Sequence, residues 1–565
     1  MGEVEFNKED DYKVKIVDGG DYKEPGGGIR KPSQEEIDEY KIHRVIVMVI
    51  FGLVVAILLL LIVILIATTE GCESVEEEKL PWYKSGVMYN IYPRSYKDSS
   101  GDGTGDFEGI IKKLDHLKDL GVNILYLSSI FKINTEVDYG YSVINFTDTN
   151  PAYGSIKDFE KLVDRAHDKG MKVIIEFIPC DTSIDNEWFE ESSKGNNKRD
   201  WYIWKNESGL DERFWSNASS GLFYSHPKNY PQKANLNWDN DDVKREFKSV
   251  LRFWLDKKVD GFRVVSIQRL FGANQTENAW SKIHTVVQKW QNYTKMRNPN
   301  SILIGSSHPA NLELYGTEDR PELDIVVNFE LVADTAKNFY TAINFKKIMN
   351  EYIGNLSNGN WPSWALTSWV HGRVGSNIDS KLAKSLEALL VLLPGTPIVF
   401  YGDEIGMQNV NNGKNLKVDE NKAPMQWEDT KNAGFTSNNS TWFGDVGNAS
   451  YTNAKDDQLG IMKSLKDAIK LRMENASVLL DGPLVNFTII NQKNVLAYTF
   501  KDKLPRFAVA INFDPSEQVI NLNELGIKDG SLKYHTADKK PGKIDMKELK
   551  VPGYALYVFE VTKKM

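Results

Sequence analysis

The chain of 565 residues has very little cysteine and no long basic run. Its two cysteines, Cys72 and Cys180, are too few to build a disulfide framework for a fold of this length. The net charge of −9 argues against a nucleic-acid-binding protein. With 41% hydrophobic and 26% charged residues, the composition is that of a globular protein with a large core, and we expect two or three domains.

One stretch lacks charged and strongly polar residues altogether, from Val45 to Ala67. At roughly 1.5 Å per residue, a helix of this length spans about 35 Å, which is enough to cross a bilayer core. The stretch is too long and too far from the N-terminus for the core of a signal peptide. Four basic residues lie shortly before the stretch, namely Arg30, Lys31, Lys41 and Arg44, whereas only Lys79 lies within a similar number of residues after it. This asymmetry predicts a cytosolic N-terminus and an extracellular domain from about residue 68.

Asn-X-Ser/Thr sequons for N-glycosylation all lie after the apolar stretch, and none precedes it. Because such acceptors are glycosylated on the secretory side of the membrane, their distribution supports the same orientation. The candidate sites are Asn145, Asn206, Asn217, Asn274, Asn292, Asn355, Asn438, Asn439, Asn448, Asn475 and Asn486.

Pattern and composition divide the chain into five parts. Residues 1–44 predict a disordered cytosolic tail, 45–67 a transmembrane helix and 68–79 an acidic extracellular stalk. Residues 80–477 repeat about eight times a continuous apolar strand followed by an amphipathic helix, which predicts an α/β fold, a (β/α)8 TIM barrel. An aromatic, Asn-rich insertion at 181–240 follows the third strand, and 478–565 predict a C-terminal antiparallel β domain. A doubly wound open sheet is the alternative.

Several phrases resemble the α-amylase-type glycoside hydrolases of the α-glucosidase branch. They are YNIYPRSYKDSSGDGTGDFEGIIKKLDHLKDLGV at 89–122, LLPGTPIVFYGDEIGM at 392–407, APMQW at 423–427 and NAGFT at 432–436. The resemblance extends over roughly residues 80–565 and implies the same barrel. Retaining enzymes of this kind use a carboxylate nucleophile and a carboxylic general acid about 5–5.5 Å apart.

The resemblance also implies that the catalytic carboxylates are missing. The family's nucleophile falls on Val265 in DGFRVVSI, and its general acid falls on Ser306 in ILIGSS. The third carboxylate falls on Gly372, next to a retained His371, and a sugar-contacting Asp falls on Ser142. Neither an apolar nor a hydroxyl side chain can take over these roles. We therefore expect no glycosidase activity.

Other polar residues are expected at the same end of the barrel, where such folds keep their sites. We expect them to satisfy one another in a residual pocket, and a weak new activity is the alternative. They are Glu176, Asp181, Arg263, His308, Glu330 and His371. Cys180, at the end of an apolar strand, is expected to be a buried free thiol.

A glycine-rich loop, DSSGDGTGD at 98–106, predicts a calcium site. Asp98, Ser100, Asp102 and Asp106 supply the closely spaced oxygens that suit Ca²⁺, which takes six to eight of them. Related enzymes hold an ion in this loop, although Ser100 replaces their more usual Asn. A simple solvated turn is the alternative.

A membrane anchor joined to an inactive α-glucosidase-like ectodomain resembles the heavy chains of heteromeric amino-acid transporters, and the insertion at 181–240 resembles their rBAT type. The resemblance implies a partner, a multi-span light chain that conducts amino acids. It also implies that a disulfide links Cys72 to this light chain. By its position alone, Cys72 lies five residues beyond Ala67 in a stalk on the oxidising side, which suits an intermolecular disulfide. A free thiol and a homodimer bridge are the alternatives. Gly52 and Ala56, four residues apart, allow close helix contact within a bilayer.

Two other functions are consistent with the same features. A membrane-anchored α-glucosidase with weak or unusual activity predicts turnover of a maltose-like substrate. A cell-surface recognition or adhesion protein predicts ligand binding without a membrane partner.

Overall fold

The computed structural model describes most of the chain in two compact units, Met1–Glu78 and Lys79–Met565. The described residues are 32–68, 80–134, 140–271, 277–306, 316–317, 320–332, 339–356, 361–368, 372–376, 378–411, 420–479, 487–490, 494–500, 506–538, 542 and 544–564.

Within its described residues, 32–68, the first unit contains two helices, α1 (Gln34–Glu39) and α2 (Lys41–Thr68). In α2 the apolar segment Lys41–Ile64 is long enough to cross a membrane by length and composition. The predicted disordered tail, residues 1–44, is wrong at its end, because residues 34–39 and 41–44 are helical. A capping box stabilises the start of α1: the Ser33 hydroxyl accepts from the Glu36 N–H at 3.3 Å, and the Glu36 carboxylate accepts from the Ser33 N–H at 2.7 Å.

Eight parallel strands form a closed barrel in the second unit, which confirms the predicted TIM barrel. They pair in chain order, and the eighth returns to the first with Met88 opposite Ile398. The strands are β1 (Met88–Ile91), β2 (Ile124–Leu127), β3 (Lys172–Phe177), β4 (Gly261–Val264), β5 (Ile302–Ser306), β6 (Ile325–Asn328), β7 (Trp361–Ala365) and β8 (Thr396–Phe400).

Helices surround this barrel, so both faces of the strands are buried and most strand residues are apolar. One cluster, which includes Met88, Ile174 and Ile325, fills the barrel interior, and a larger cluster lies between strands and helices. The helices are α3 (Trp82–Ser85), α4 (Pro93–Tyr96), α5 (Phe107–Lys112), α6 (Leu114–Leu120), α7 (Ile156–Asp168), α8 (Glu187–Ser193), α9 (Asp241–Asp256), α10 (Glu277–Arg297), α11 (Ala342–Asn355), α12 (Ser380–Leu392), α13 (Ile461–Glu474) and α14 (Ala476–Leu479).

The insertion after β3 is present as predicted and contains α8 and two small antiparallel sheets. Asp181–Ser183 pairs with Lys233–Asn235. Phe223–Ser225 lies between Trp204–Lys205 and Trp215–Asn217 in the second sheet. A further hairpin after β2, Phe131–Ile133 with Val143–Thr149, was not anticipated from the sequence.

The C-terminal part is an antiparallel sheet, as predicted. Its strands are β9 (Thr488–Ile489), β10 (Val495–Thr499), β11 (Arg506–Asn512), β12 (Ile527–His535) and β13 (Leu556–Lys564), with β13 between β11 and β12. Gln518–Ile520 and Leu549–Val551 form a separate pair. The sheet is joined to the barrel by buried hydroxyl contacts, since Ser385 Oγ on α12 lies 2.6 Å from Thr536 Oγ1 and Ser464 Oγ on α13 lies 2.5 Å from Tyr534 Oη.

Candidate functional site

The carboxyl ends of β3 to β7 bring most of the polar residues singled out in the sequence to one face of the barrel. Glu176 and Arg263 lie within β3 and β4, Val265 follows β4 directly, and Ser306 ends β5. Gly372 lies in the segment after β7, and Glu330, after β6, is exposed. His308 and His371 lie outside the described residues. Parallel barrel strands all end at the same face, which explains why these residues converge.

The ends of β4 and β5 carry an apolar and a hydroxyl side chain. Val265 is only 9% exposed, and its N–H donates to the Phe177 carbonyl at 2.9 Å. The Arg263 guanidinium lies 3.5 Å from the Ser306 hydroxyl. Neither the Val265 side chain nor the Ser306 hydroxyl ionises in the pH range that proton transfer or glycosyl transfer requires. At these two positions the cleft therefore has no carboxylate.

Glu176 is a fully buried carboxylate whose oxygens are already occupied. The hydroxyls of Tyr126 and Tyr141 donate to it at 2.7 and 2.6 Å, and the Ser129 N–H donates at 2.9 Å. The Arg263 guanidinium adds an ion pair at 3.6 Å. Burial first raises the pKa of both tyrosine hydroxyls well above the usual range, and the Glu176 carboxylate raises it further, although the positive charge of Arg263 acts in the opposite direction. With these partners Glu176 is held in one position at the carboxyl end of the barrel, and both of its oxygens accept hydrogen bonds.

Asp181, at the start of the insertion, is a second buried carboxylate, and its partners are two cationic side chains. Its carboxylate lies 3.3 Å from the Arg269 guanidinium and 3.6 Å from the Lys233 ammonium. Lys233 belongs to the strand that pairs with Asp181–Ser183, so its ion pair lies within the insertion. Arg269 follows β4, so its ion pair with Asp181 attaches the insertion to the barrel. Neighbouring Cys180 is a buried free thiol, and burial raises its pKa to about 12, so it is not a reactive thiolate.

A buried acidic cluster near the ends of β7 and β8 was missed from the sequence. Asp403 bonds to Arg373 at 3.1 Å, and Glu404 accepts from the Tyr89 hydroxyl at 2.6 Å. Among the described residues, Glu387 on α12 has no hydrogen-bond partner although its carboxyl is fully buried. Burial, reinforced by the charges of Asp403 and Glu404, raises the pKa of Glu387 well above the usual range, and burial raises that of Asp403 to about 7. The only sequence feature that could have indicated this cluster was Glu387, an acidic residue inside the apolar run SLEALLVLL.

In the glycine-rich loop the acidic side chains accept hydrogen bonds from the loop itself. Asp98 accepts from the N–H groups of Gly101 and Gly103 at 2.7 and 2.8 Å and from the Thr436 hydroxyl at 2.5 Å. Burial alone would raise the pKa of Asp98, but these hydrogen bonds outweigh it and hold the pKa below the usual value. Asp106 caps α5 by accepting from the Gly109 N–H at 2.6 Å.

The remaining predicted ligands are engaged in the same way. The Asp102 carboxylate accepts from the Thr104 N–H at 2.7 Å, and the Ser100 hydroxyl donates to Asp98 at 3.1 Å. Within the described part of the chain, no three acidic, histidine or cysteine side chains converge as a metal site would require. This arrangement does not fit a calcium site, and calcium binding stays a prediction of the sequence alone.

Most of the candidate glycosylation sites are on the surface. Exposed side chains are those of Asn145, Asn206, Asn217, Asn292, Asn355, Asn439 and Asn448. Asn438 and Asn475 are half-buried, and their amides donate to the carbonyls of Gly101 and Leu471, both at 2.9 Å. Asn274, Asn486 and the predicted disulfide residue Cys72 lie outside the described residues.

Known proteins of two kinds are similar to this chain. A family model described as the alpha amylase catalytic domain matches residues 90–482. An alpha-glucosidase of Culex pipiens is 32% identical over 419 residues, which are 66% of this chain and 72% of that protein. The amino acid transporter heavy chain SLC3A1 of Homo sapiens is 30% identical over 554 residues, 89% of this chain and 80% of that protein. Among solved structures, the trehalose-6-phosphate hydrolase TreA of Bacillus licheniformis has a TM-score of 0.75 at 26% identity and covers 86% of this chain and 100% of its own.

Proposed function

This chain belongs to the alpha-amylase family and is an rBAT-like protein, and from that premise we propose that it is a catalytically inactive transporter heavy chain. In this role it links through a disulfide to a multi-span light chain and supports the light chain's delivery to the plasma membrane and its transport of amino acids. The proposal includes a type II topology, with a cytosolic N-terminus and a glycosylated extracellular domain.

The observation that carries this proposal is the state of the barrel's carboxyl face. Val265 and Ser306 stand at the ends of β4 and β5, and Glu176 is held by two tyrosine hydroxyls, a backbone N–H and Arg263. A glycosidase needs two carboxyl groups free to reach the substrate. A barrel of this kind serves as a stable extracellular body and not as a hydrolase.

The anchor supports a partner within the membrane. The apolar part of α2 has no charged residue from Val45 to Ala67, so it offers only packing contacts to a neighbouring helix. A disulfide from Cys72 would add a covalent link just outside the membrane, where the environment is oxidising. The transported amino acids would pass through the light chain.

A non-reducing gel of the full-length protein from its native membranes tests this proposal. We expect a larger band that collapses on reduction, disappears in Cys72→Ser and persists in Cys180→Ser. Cys180 is a matched control, because it is the chain's other cysteine and is buried with a free thiol. Mass spectrometry of the band should identify a multi-span transporter. A single monomeric band in every sample, or a homodimer of this chain, would contradict the proposal.

An α-glucosidase is the second candidate, because the Culex pipiens enzyme is similar at a comparable level of identity. Hydrolysis of maltose and of nitrophenyl α-glucoside by the purified full-length protein separates the two functions. We expect no turnover above a heat-inactivated sample. Turnover that is abolished by Glu176→Gln, with the melting temperature of the variant unchanged, would favour the enzyme.

A further inference from the structure

A surface groove lies between α9 and α10 on the outside of the barrel, with a volume of about 470 Å³. Its floor is apolar and is formed by the buried rings of Trp238 and Trp290 with Val286. Tyr293 and Met296 continue this surface outward, and Met296 is 70% exposed. Tyr293 and Met296 therefore form an apolar surface that a group bound at the groove would cover.

Asn292 lines the same groove, is exposed, and begins the sequon Asn-Tyr-Thr. On α10, Lys289 precedes it by three residues and Met296 follows it by four, so the three side chains are neighbours along one helix face. A group attached to Asn292 would therefore start at the rim of the groove, between a cation and an apolar side chain.

The opposite wall of the groove is cationic. Lys244 and Lys248 lie four residues apart on α9, and the Lys248 ammonium lies 4.5 Å from the centre of the Tyr293 ring. Lys244 is bonded to Asp241 at 2.8 Å. N–H donors around an aromatic floor are the combination that recognises sugars, since hydroxyl groups accept from the donors and the apolar sugar face packs on the rings.

We propose that an N-linked glycan on Asn292 occupies this groove and covers its apolar surface. Its first sugars pack against Tyr293 and Met296, and their hydroxyls accept hydrogen bonds from Lys248 and Lys289. Covalent attachment at the rim gives the sugars a high effective concentration, so weak contacts are sufficient to keep the groove covered. The inference rests on the extracellular topology of the proposed function.

The test uses full-length protein from cells that glycosylate, with variants that remove one sequon each. Asn292→Gln should run faster by the mass of one glycan, bind about twofold more apolar dye, and melt about 1–2 °C lower. Asn448→Gln, which removes another exposed sequon, should lose one glycan without either of the other changes. In a Met296→Ser background, Asn292→Gln should add little dye binding, because the apolar surface is already reduced.

Three results would overturn the inference. Unchanged mobility of Asn292→Gln, while Asn448→Gln shifts, would mean that Asn292 carries no glycan. A mobility shift without a change in dye binding would mean that the glycan does not cover the groove. If enzymatic deglycosylation does not change the mobility of even the wild-type protein, the extracellular topology of the proposed function is contradicted as well. This third result therefore distinguishes a failure of the proposed function from a failure of the inference about the groove alone.

Discussion

Replacing Arg472 with methionine should destabilise the ectodomain more than any exposed change on the same helix. Arg472 on α13 is fully buried, and its guanidinium donates to backbone carbonyls in two segments. One segment, 84–86, leads into β1, and the other, 391–395, leads into β8. Arg472 thus ties together the two strands whose pairing closes the barrel.

The magnitude follows from these contacts. The shortest are those to Gly395 at 2.5 Å and to Val391 at 2.9 Å, and four others lie between 3.1 and 3.4 Å. A buried carbonyl left without a donor costs about 1–3 kcal/mol, whereas removal of a buried cation returns several kcal/mol. Burial lowers the pKa of Arg472 to about 9, so the side chain is still a cation at neutral pH. We expect a net loss of about 3–5 kcal/mol, a large share of a typical stability.

Thermal melting of the full-length protein measures this loss, and labelling of intact cells measures its consequence for surface delivery. Arg472→Met should melt about 3–5 °C below the wild type, because a loss of 1 kcal/mol lowers the melting temperature of a domain of this size by about 1 °C, and it should be depleted at the cell surface. Lys470→Met is the matched control, because Lys470 lies on the same helix and is exposed. If the two variants melt within about 1 °C of each other, the carbonyl contacts do not hold the barrel closed.

Three further predictions follow from single side chains. Glu387→Gln should raise the melting temperature at about pH 8 and have less effect at about pH 5. The reason is that the pKa of Glu387 is raised in the folded state, so the wild type loses stability as the pH rises from about 4.5 towards that raised pKa, whereas a glutamine does not titrate. A pH-independent difference between Glu387→Gln and the wild type would contradict this reasoning. Asp98→Asn should cost about 1–3 kcal/mol at neutral pH and less in acid, because the lowered pKa of Asp98 makes its contribution disappear as the pH falls. In the same melts, calcium added after a chelator should leave the wild type unchanged, and a calcium-dependent rise would support the metal site instead. Mass analysis of the overlapping sequons should show that Asn439→Gln removes a glycan and that Asn438→Gln does not, because the Asn438 amide is engaged by a backbone carbonyl.

The hydrogen bonds of the glycine-rich loop show where local reasoning from the sequence reaches its limit. The spacing of Asp98, Asp102 and Asp106 was suited to a cation, but the folded loop turns these carboxylates towards its own N–H groups and towards Thr436. Thr436 is 338 positions away from Asp98 in the sequence. No local pattern indicates such a partner, because the contact exists only once both segments are placed against the barrel.

The sequence by itself determined the barrel, the insertion, the C-terminal sheet and the apolar span. These depend on short-range periodicity and on the length of apolar runs, which are properties of neighbouring residues. It also determined that Val265 and Ser306 stand at strand ends, since each directly follows or ends an apolar run. Only the tertiary structure decided that Glu176 is enclosed by Tyr126 and Tyr141, that Glu387 is buried beside two other acids, and that Arg472 reaches the segments leading into β1 and β8. The physical reason is that burial and hydrogen-bond partners are set by segments far apart in the chain, which local patterns do not encode.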